Sequence, residues 1–184
     1  MIIIDDFIED ESLLNEITTN KDTFFGPNGN FMWWEGWWNG RTNSLKHRLI
    51  EYIWKDNSPA KSYNAVGFEY WTGVYGPDKP NKDLGGHYDK DELQFQRTGE
   101  IVRPVIGTVF YPMDVDFEGG MLEIERGNGE VERIQAKYNR LVIFDAGSDV
   151  HRVTPVTKGT RYAIAINLWD KEPVAVTEKI MTIE

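Results

Sequence analysis

Residues 161–169 read Arg-Tyr-Ala-Ile-Ala-Ile-Asn-Leu-Trp, and their alternation is the clearest fold signal in the chain. In a β-strand successive side chains leave opposite faces. One face of this stretch carries Tyr162, Ile164, Ile166 and Leu168, a bulky aliphatic surface suited to packing. The other carries Arg161, Ala163, Ala165, Asn167 and Trp169, with small residues beside an arginine, which is how a cavity lining reads. A guanidinium facing a cavity needs an anion, because an unpaired buried charge is costly. Its planar fork suits a carboxylate in two-point contact. The competing reading is a surface arginine that starts a strand.

Outward from this strand, the chain beyond about residue 65 is rich in β-branched and aromatic runs separated by Gly, Asn, Asp and Pro. Strands are expected near 65–75, 101–112, 120–126, 130–136, 140–145, 150–156 and 160–169. Gly127-Asn128-Gly129 between two of them is a hairpin signal, since Asn and Gly tolerate positive φ. Short strands without intervening helices point to a sandwich or jelly roll rather than an α/β sheet. Residues 1–60 differ: Asp10-Glu11-Ser12 leads into Leu13, Leu14 and Ile17 at helical spacing. Asn43 and Ser44 offer caps for a second helix carrying Leu45, Leu49, Ile50 and Ile53. The expected fold class is therefore mainly β: a double-stranded β-helix (jelly roll) at 65–169 with N-terminal supporting helices at 1–60. Residues 170–184 form a C-terminal tail, and the whole of 1–184 is expected to be one domain.

Composition narrows the function. The 184 residues carry a net charge of −10, which argues against nucleic acid or an anionic membrane as partner. The absence of Cys removes disulfides, thiolate metal sites, iron–sulfur clusters and cysteine nucleophiles. No signal-like opening or long apolar run is evident, so the expected setting is cytoplasmic.

Three His are present, and two stand where chemistry would need them. His87-Tyr88-Asp89 places an imidazole and a carboxylate two residues apart, on one face of a strand and separated by about 6.6 Å at the backbone. His151 lies in the expected strand 150–156. Two His and one carboxylate with other positions open form the facial triad of non-haem iron(II) oxygenases. A His-x-Asp alone is a weak signal, and a lone His on a strand is more often packed or hydrogen-bonded than a ligand. The surroundings of His151 strengthen the case: the stretch runs His-Arg-Val-Thr-Pro-Val-Thr-Lys-Gly-Thr-Arg from His151 to Arg161.

With these residues in view, the chain resembles the 2-oxoglutarate- and iron(II)-dependent dioxygenases, in the branch similar to prolyl 4-hydroxylase catalytic domains. The anchors are His87-Tyr88-Asp89, the strand ending at Tyr111, Phe117-Glu118-Gly119-Gly120-Met121-Leu122 and the stretch from His151 to Arg161. The resemblance implies Fe(II) held by His87, Asp89 and His151, with no other catalytic side chain required. It implies that 2-oxoglutarate is held by Arg161 and Tyr111 at its far carboxylate, with Leu122 as an apolar wall. Tyr70 is a further cosubstrate contact, for which Tyr75 competes. Dioxygen is the co-reactant and ascorbate a reductant. The implied reaction hydroxylates an aliphatic C–H, in peptidyl proline or another amino-acid side chain, on a peptide or small molecule. Ala165 departs from relatives that carry a hydroxyl there, and the 73–86 loop is longer than the pattern leads one to expect.

Two other classes compete: a non-catalytic jelly-roll binding module, and a zinc hydrolase using the same His and Asp donors. Arg161 has no role in the second. Elsewhere, His47 reads as a helix-surface residue, and Trp33, Trp34, Trp37 and Trp38 read as packing for the N-terminal segment rather than a substrate platform. The loop 73–86 is either a lid or a plain solvated loop.

Overall fold

The computed structural model describes residues 1–26, 31–40, 44–55 and 63–178, together with the backbone of 182–183. In chain order the elements are β1 (Ile2–Ile4), α1 (Glu11–Thr19), α2 (Lys21–Phe25), β2 (Met32–Trp34), α3 (Leu45–Trp54), β3 (Gly67–Tyr75) and β4 (Leu84–His87). Then follow α4 (Glu92–Thr98), β5 (Ile106–Tyr111), β6 (Phe117–Gly119), β7 (Leu122–Glu125), β8 (Val131–Ile134) and β9 (Arg140–Phe144). β10 (Val150–Val153), β11 (Val156–Gly159), β12 (Arg161–Trp169), α5 (Val174–Thr177) and β13 (Thr182–Ile183) complete the chain. Among the described residues no helix is long and apolar enough to cross a membrane.

Two sheets face each other, as the jelly-roll expectation requires. The larger has the order β1-β9-β5-β12-β3-β2-β13 and the smaller β4-β10-β7-β8, with β11 and β6 as a separate pair. The β12 strand lies at the centre of the large sheet, paired along its full length with β3 and flanked by β5. Its aliphatic face is the outer one. Ile164, Ile166 and Leu168 pack with Phe68 and Phe110 against Leu14 and Ile17 of α1 and Leu49 and Ile50 of α3. Each such side chain contributes roughly 1.5–3 kcal/mol on burial. Between the sheets Tyr111, Leu122, Ile124, Val142, Phe144 and Ala163 form a second cluster, so the inner face of β12 looks into the jelly roll.

Local sequence explains most boundaries. Asp10 caps α1 by accepting from the Ser12 amide at 2.9 Å, satisfying one of the free N–H groups of the first turn. Pro155 has no N–H to give a ladder, so the single strand expected over 150–156 is two. β10 stops at Val153 in the small sheet, and β11 starts at Val156 against β6. The expected strand 101–112 is confined to Ile106–Tyr111, with Pro104 just ahead of it.

The expected place of His47 is corrected. His47 is not a helix-surface residue: it is 1% exposed, lies flat on Trp34 at 4.4 Å, and its Nε2 is 2.8 Å from the Tyr70 hydroxyl. The β2 strand lays its aromatics against α3, so that helix is buried on a second stripe beside Leu49, Ile50 and Ile53. Trp33 and Trp34 are buried, as expected of packing, whereas Trp38 is exposed. Trp33 lies over Gly67 so closely that a Cβ there would come within 2.1 Å of the indole, which explains the glycine.

Candidate metal and cosubstrate site

His87 ends β4, a strand whose Leu-Gly-Gly-His sequence has low β propensity and which exists through its pairing with β10. That pairing sets His151 directly across from His87, with ring centroids 4.3 Å apart. Asp89 lies just beyond the strand, held by its backbone N–H donating to the Ala146 carbonyl at 2.7 Å. Its Oδ1 is 3.4 Å from His87 Nε2 and 3.6 Å from His151 Nε2. One donor atom from each of the three residues lies within 4.8 Å of the others. Cis donors on an octahedral ion with bonds of about 2.1 Å sit about 3 Å apart, so each imidazole needs to close on Asp89 by only about 0.5 Å.

The tautomers suit a metal. His87 Nδ1 is 2.8 Å from the Gly85 carbonyl and His151 Nδ1 is 3.0 Å from the Asp149 carbonyl. A carbonyl only accepts, so each Nδ1 carries the proton and each Nε2 keeps its lone pair toward Asp89. Burial pulls the His87 pKa down, but the hydrogen bond and charge of Asp89, with the Gly85 carbonyl, hold it above the ordinary histidine value. For His151 burial dominates and lowers the pKa despite Asp89. Fe(II) fits this donor set of two neutral imidazoles and one carboxylate.

Farther along the inner face of β12 lies Arg161, 2% exposed. Its Nη2 donates to the Tyr111 hydroxyl at 3.2 Å, and the guanidinium lies between the rings of Tyr111 and Tyr75, at 5.0 and 5.4 Å from their centroids. Its Nε is buried without a hydrogen-bond partner among the described residues. A buried cation with an unused donor suits an anion, and the distal carboxylate of 2-oxoglutarate fits it. Leu122 shares the inner cluster with Tyr111 and Ala163. Gly120, at φ +63°, lets the chain pass here: a Cβ would meet Arg161 Cδ at 2.9 Å.

The structure thus brings His87, Asp89 and His151 together, and Arg161, Tyr111 and Leu122 together. It does not bring Tyr70 to either group. Tyr70 points to the helix side of β3, where its hydroxyl meets His47, because even-numbered positions of that strand face the helices. The tyrosine beside Arg161 is Tyr75, on the opposite face.

Three further residues went unassigned in the sequence reading. Asn167 donates to Asp89 Oδ2 at 2.9 Å. Its register partner Glu69 accepts from Asn167 at 3.5 Å and from the Trp169 indole at 3.3 Å. Burial and the nearby charge of Asp89 push the Glu69 carboxyl up to about 8. The alternation of β12 already placed Asn167 and Trp169 inward; only the β3–β12 register reveals Glu69 beside them.

Two imidazoles and one carboxylate with open positions are the donor set of the non-haem iron enzymes. The chain belongs to the 2OG-Fe(II) oxygenase superfamily, whose pattern matches residues 71–169, more than half of the sequence. A PKHD-type hydroxylase from Alteromonas mediterranea is 27% identical over 124 residues, covering 67% of this chain and 53% of that protein. A PKHD-type hydroxylase from a Synechococcus strain is 37% identical over 79 residues, covering 43% of this chain and 34% of that protein. The chain spans about half the length of the first of these curated relatives. Among solved structures, a Pseudomonas putida prolyl-4-hydroxylase superposes with TM-score 0.66 at 14% identity, covering 94% of this chain and 87% of that one. A viral collagen prolyl hydroxylase from Paramecium Bursaria Chlorella virus-1 superposes with TM-score 0.60 at 15% identity, covering 93% and 96%. These two likenesses establish the double-stranded β-helix fold.

Proposed function

We propose that this chain is an Fe(II)- and 2-oxoglutarate-dependent hydroxylase acting on an aliphatic C–H bond of an amino-acid side chain, with peptidyl proline as the first candidate. The observation that carries the reading is Arg161: buried, with an unused Nε donor, on the inner face that also presents Asn167 to Asp89. A zinc hydrolase would need the triad but would have no use for this cation. A sugar-binding module would need neither. The proline candidate is supported by the names of the fold neighbours and the hydroxylase names of the sequence relatives.

In this reading His87, Asp89 and His151 hold the metal, while Arg161 and Tyr111 anchor the far carboxylate against Leu122. The bound metal and cosubstrate supply the oxidising power: 2-oxoglutarate, dioxygen and R–H yield succinate, carbon dioxide and R–OH. What the protein adds is orientation along the β12 inner face and exclusion of water from a site walled by Tyr111, Ala163 and Leu122. Ascorbate is the proposed reductant that sustains Fe(II). The test is succinate formation from 2-oxoglutarate with a panel of proline-containing peptides, other peptides and free amino acids. Hydroxylated product matching succinate for one of them supports the reading and names the substrate class. Turnover with non-amino-acid substrates alone would overturn the amino-acid assignment.

A further inference from the structure

We infer that Asn167 is a positioning residue that keeps Asp89 bound to the metal through a single oxygen, preserving the coordination position that the cosubstrate needs. The inference rests on the metal and 2-oxoglutarate reading above. A carboxylate can coordinate through one oxygen or both. Bound through one oxygen, Asp89 leaves three open positions with the two imidazoles; a second Asp89 oxygen would take one of the three and compete for it with a chelating oxygen of 2-oxoglutarate or with dioxygen.

The two oxygens of Asp89 have divided surroundings. Oδ1 faces both imidazoles, at 3.4 and 3.6 Å. Oδ2 accepts from Asn167 Nδ2 at 2.9 Å. A hydrogen bond to a carboxylate is stronger than one between neutral groups, so it restrains rotation of Asp89 that would bring Oδ2 to the metal. The amide is itself fixed. Asn167 is 2% exposed and on a central strand, and its NH₂ also approaches Glu69, which the Trp169 indole holds. Its carbonyl side lies over Gly107, where a Cβ would come within 2.8 Å of Oδ1 and 2.5 Å of the Ala146 Cβ. Asp89 Oδ2 and Glu69 Oε2, which already accepts from the Trp169 indole, are the acceptors on one side of the amide, so the NH₂ is the group turned toward them. The titratable groups of this neighbourhood are Glu69, Asp89 and Asp91, together with His87 and His151, which face Asp89.

The test uses Mn(II), which does not consume dioxygen, and 2-oxoglutarate, titrated into the full chain by calorimetry. In Asn167→Ala, Mn(II) affinity should stay within about threefold of wild type, since Asp89 remains a ligand. The affinity for 2-oxoglutarate at saturating Mn(II) should fall about tenfold or more, because the freed Asp89 oxygen then competes for its position. Asn167→Leu retains the volume and loses the donor, so it should show the same split if the alanine variant does not fold. Glu69→Gln retains an acceptor for Asn167 and Trp169 and should remain within about threefold in both affinities. Wild-type 2-oxoglutarate affinity in either folded Asn167 variant overturns the inference. So does a loss of Mn(II) affinity as large as the loss of 2-oxoglutarate affinity, which would mean a merely structural role. If wild-type protein loaded with Mn(II) bound no 2-oxoglutarate, the functional reading would fall first and this inference with it.

Discussion

Replacing Arg161 with alanine removes the cation proposed to pair with the far carboxylate of 2-oxoglutarate while leaving the metal donors untouched. Arg161 is 2% exposed; it spends one donor on Tyr111, and its Nε has no partner among the described residues. A dicarboxylate arriving there would meet a desolvated cation that needs no reorganisation. Losing one partner of such a pair costs about 2–5 kcal/mol, which is roughly 30- to 5000-fold in affinity. Tyr111→Phe removes one hydroxyl and should cost about 1–3 kcal/mol. Arg161→Lys should fall between wild type and alanine, because the charge survives without the planar fork. The assay is calorimetric titration of 2-oxoglutarate into Mn(II)-loaded protein, with Mn(II) affinity measured separately. Mn(II) binding should be nearly unchanged throughout. Equal 2-oxoglutarate affinity in wild type and Arg161→Ala would refute the assignment of this arginine.

Three further outcomes are expected. His87→Ala and His151→Ala should each abolish Fe(II) binding under anaerobic titration while leaving the circular dichroism spectrum of a folded protein; Fe(II) binding like wild type in either would remove that residue from the ligand set. Because Asp89 and the Gly85 carbonyl raise the His87 pKa above the ordinary histidine value, a proton competes with the metal there first. Metal affinity should therefore fall as pH drops through that raised value, before His151, whose pKa is lowered by burial, gains a proton; a pH-independent Mn(II) affinity between about pH 6 and 8 would contradict this. Glu69 holds its proton more tightly in the folded protein, from the usual 4.5 up to about 8, through burial and the charge of Asp89. Between those values the folded state binds more protons than the unfolded one, so metal-free stability falls as pH rises and the loss is complete above about pH 8. Glu69→Gln should thus stabilise the metal-free protein at about pH 8–9 by on the order of 1–3 kcal/mol, less than the full shift because Glu69 is only half-buried, and match wild type near pH 4 in urea denaturation.

The alternation in 161–169 was enough to foresee a strand with an aliphatic outer face and a cavity face, because period-2 patterning on a central strand is written by burial itself. His87, Asp89 and His151 were legible from residue type and spacing, and Arg161 from its place on the same face as Ala163 and Ala165. What could not be read depends on pairings between distant segments. Leu84–His87 is a strand only because β10 lies beside it, and its two glycines carry no strand signal. Tyr70 and Tyr75 differ by an odd number of positions and so face opposite sides of β3; which side holds Arg161 depends on the register with β12. His47 was misplaced because the helix stripe of Leu45, Leu49, Ile50 and Ile53 gives no hint that Trp34 arrives from another strand to cover it. The short helix Glu92–Thr98 interrupts the expected run of strands and carries its own local signals: Asp91 accepts from the Gln94 amide at 3.0 Å at its start, and Gly99 takes φ +74° at its end.

The central claim is that the metal held by His87, Asp89 and His151 works together with 2-oxoglutarate anchored at Arg161. Its most direct test is the conversion of 2-oxoglutarate to succinate by purified protein given Fe(II), ascorbate and air, with wild type, His151→Ala and Arg161→Ala measured side by side. The account predicts succinate that requires both Fe(II) and dioxygen in wild type. His151→Ala should give none at any Fe(II) concentration, and Arg161→Ala should recover part of the rate only at greatly raised 2-oxoglutarate. Succinate formation in His151→Ala equal to wild type, or an Arg161→Ala rate that saturates at the wild-type 2-oxoglutarate concentration, would contradict it.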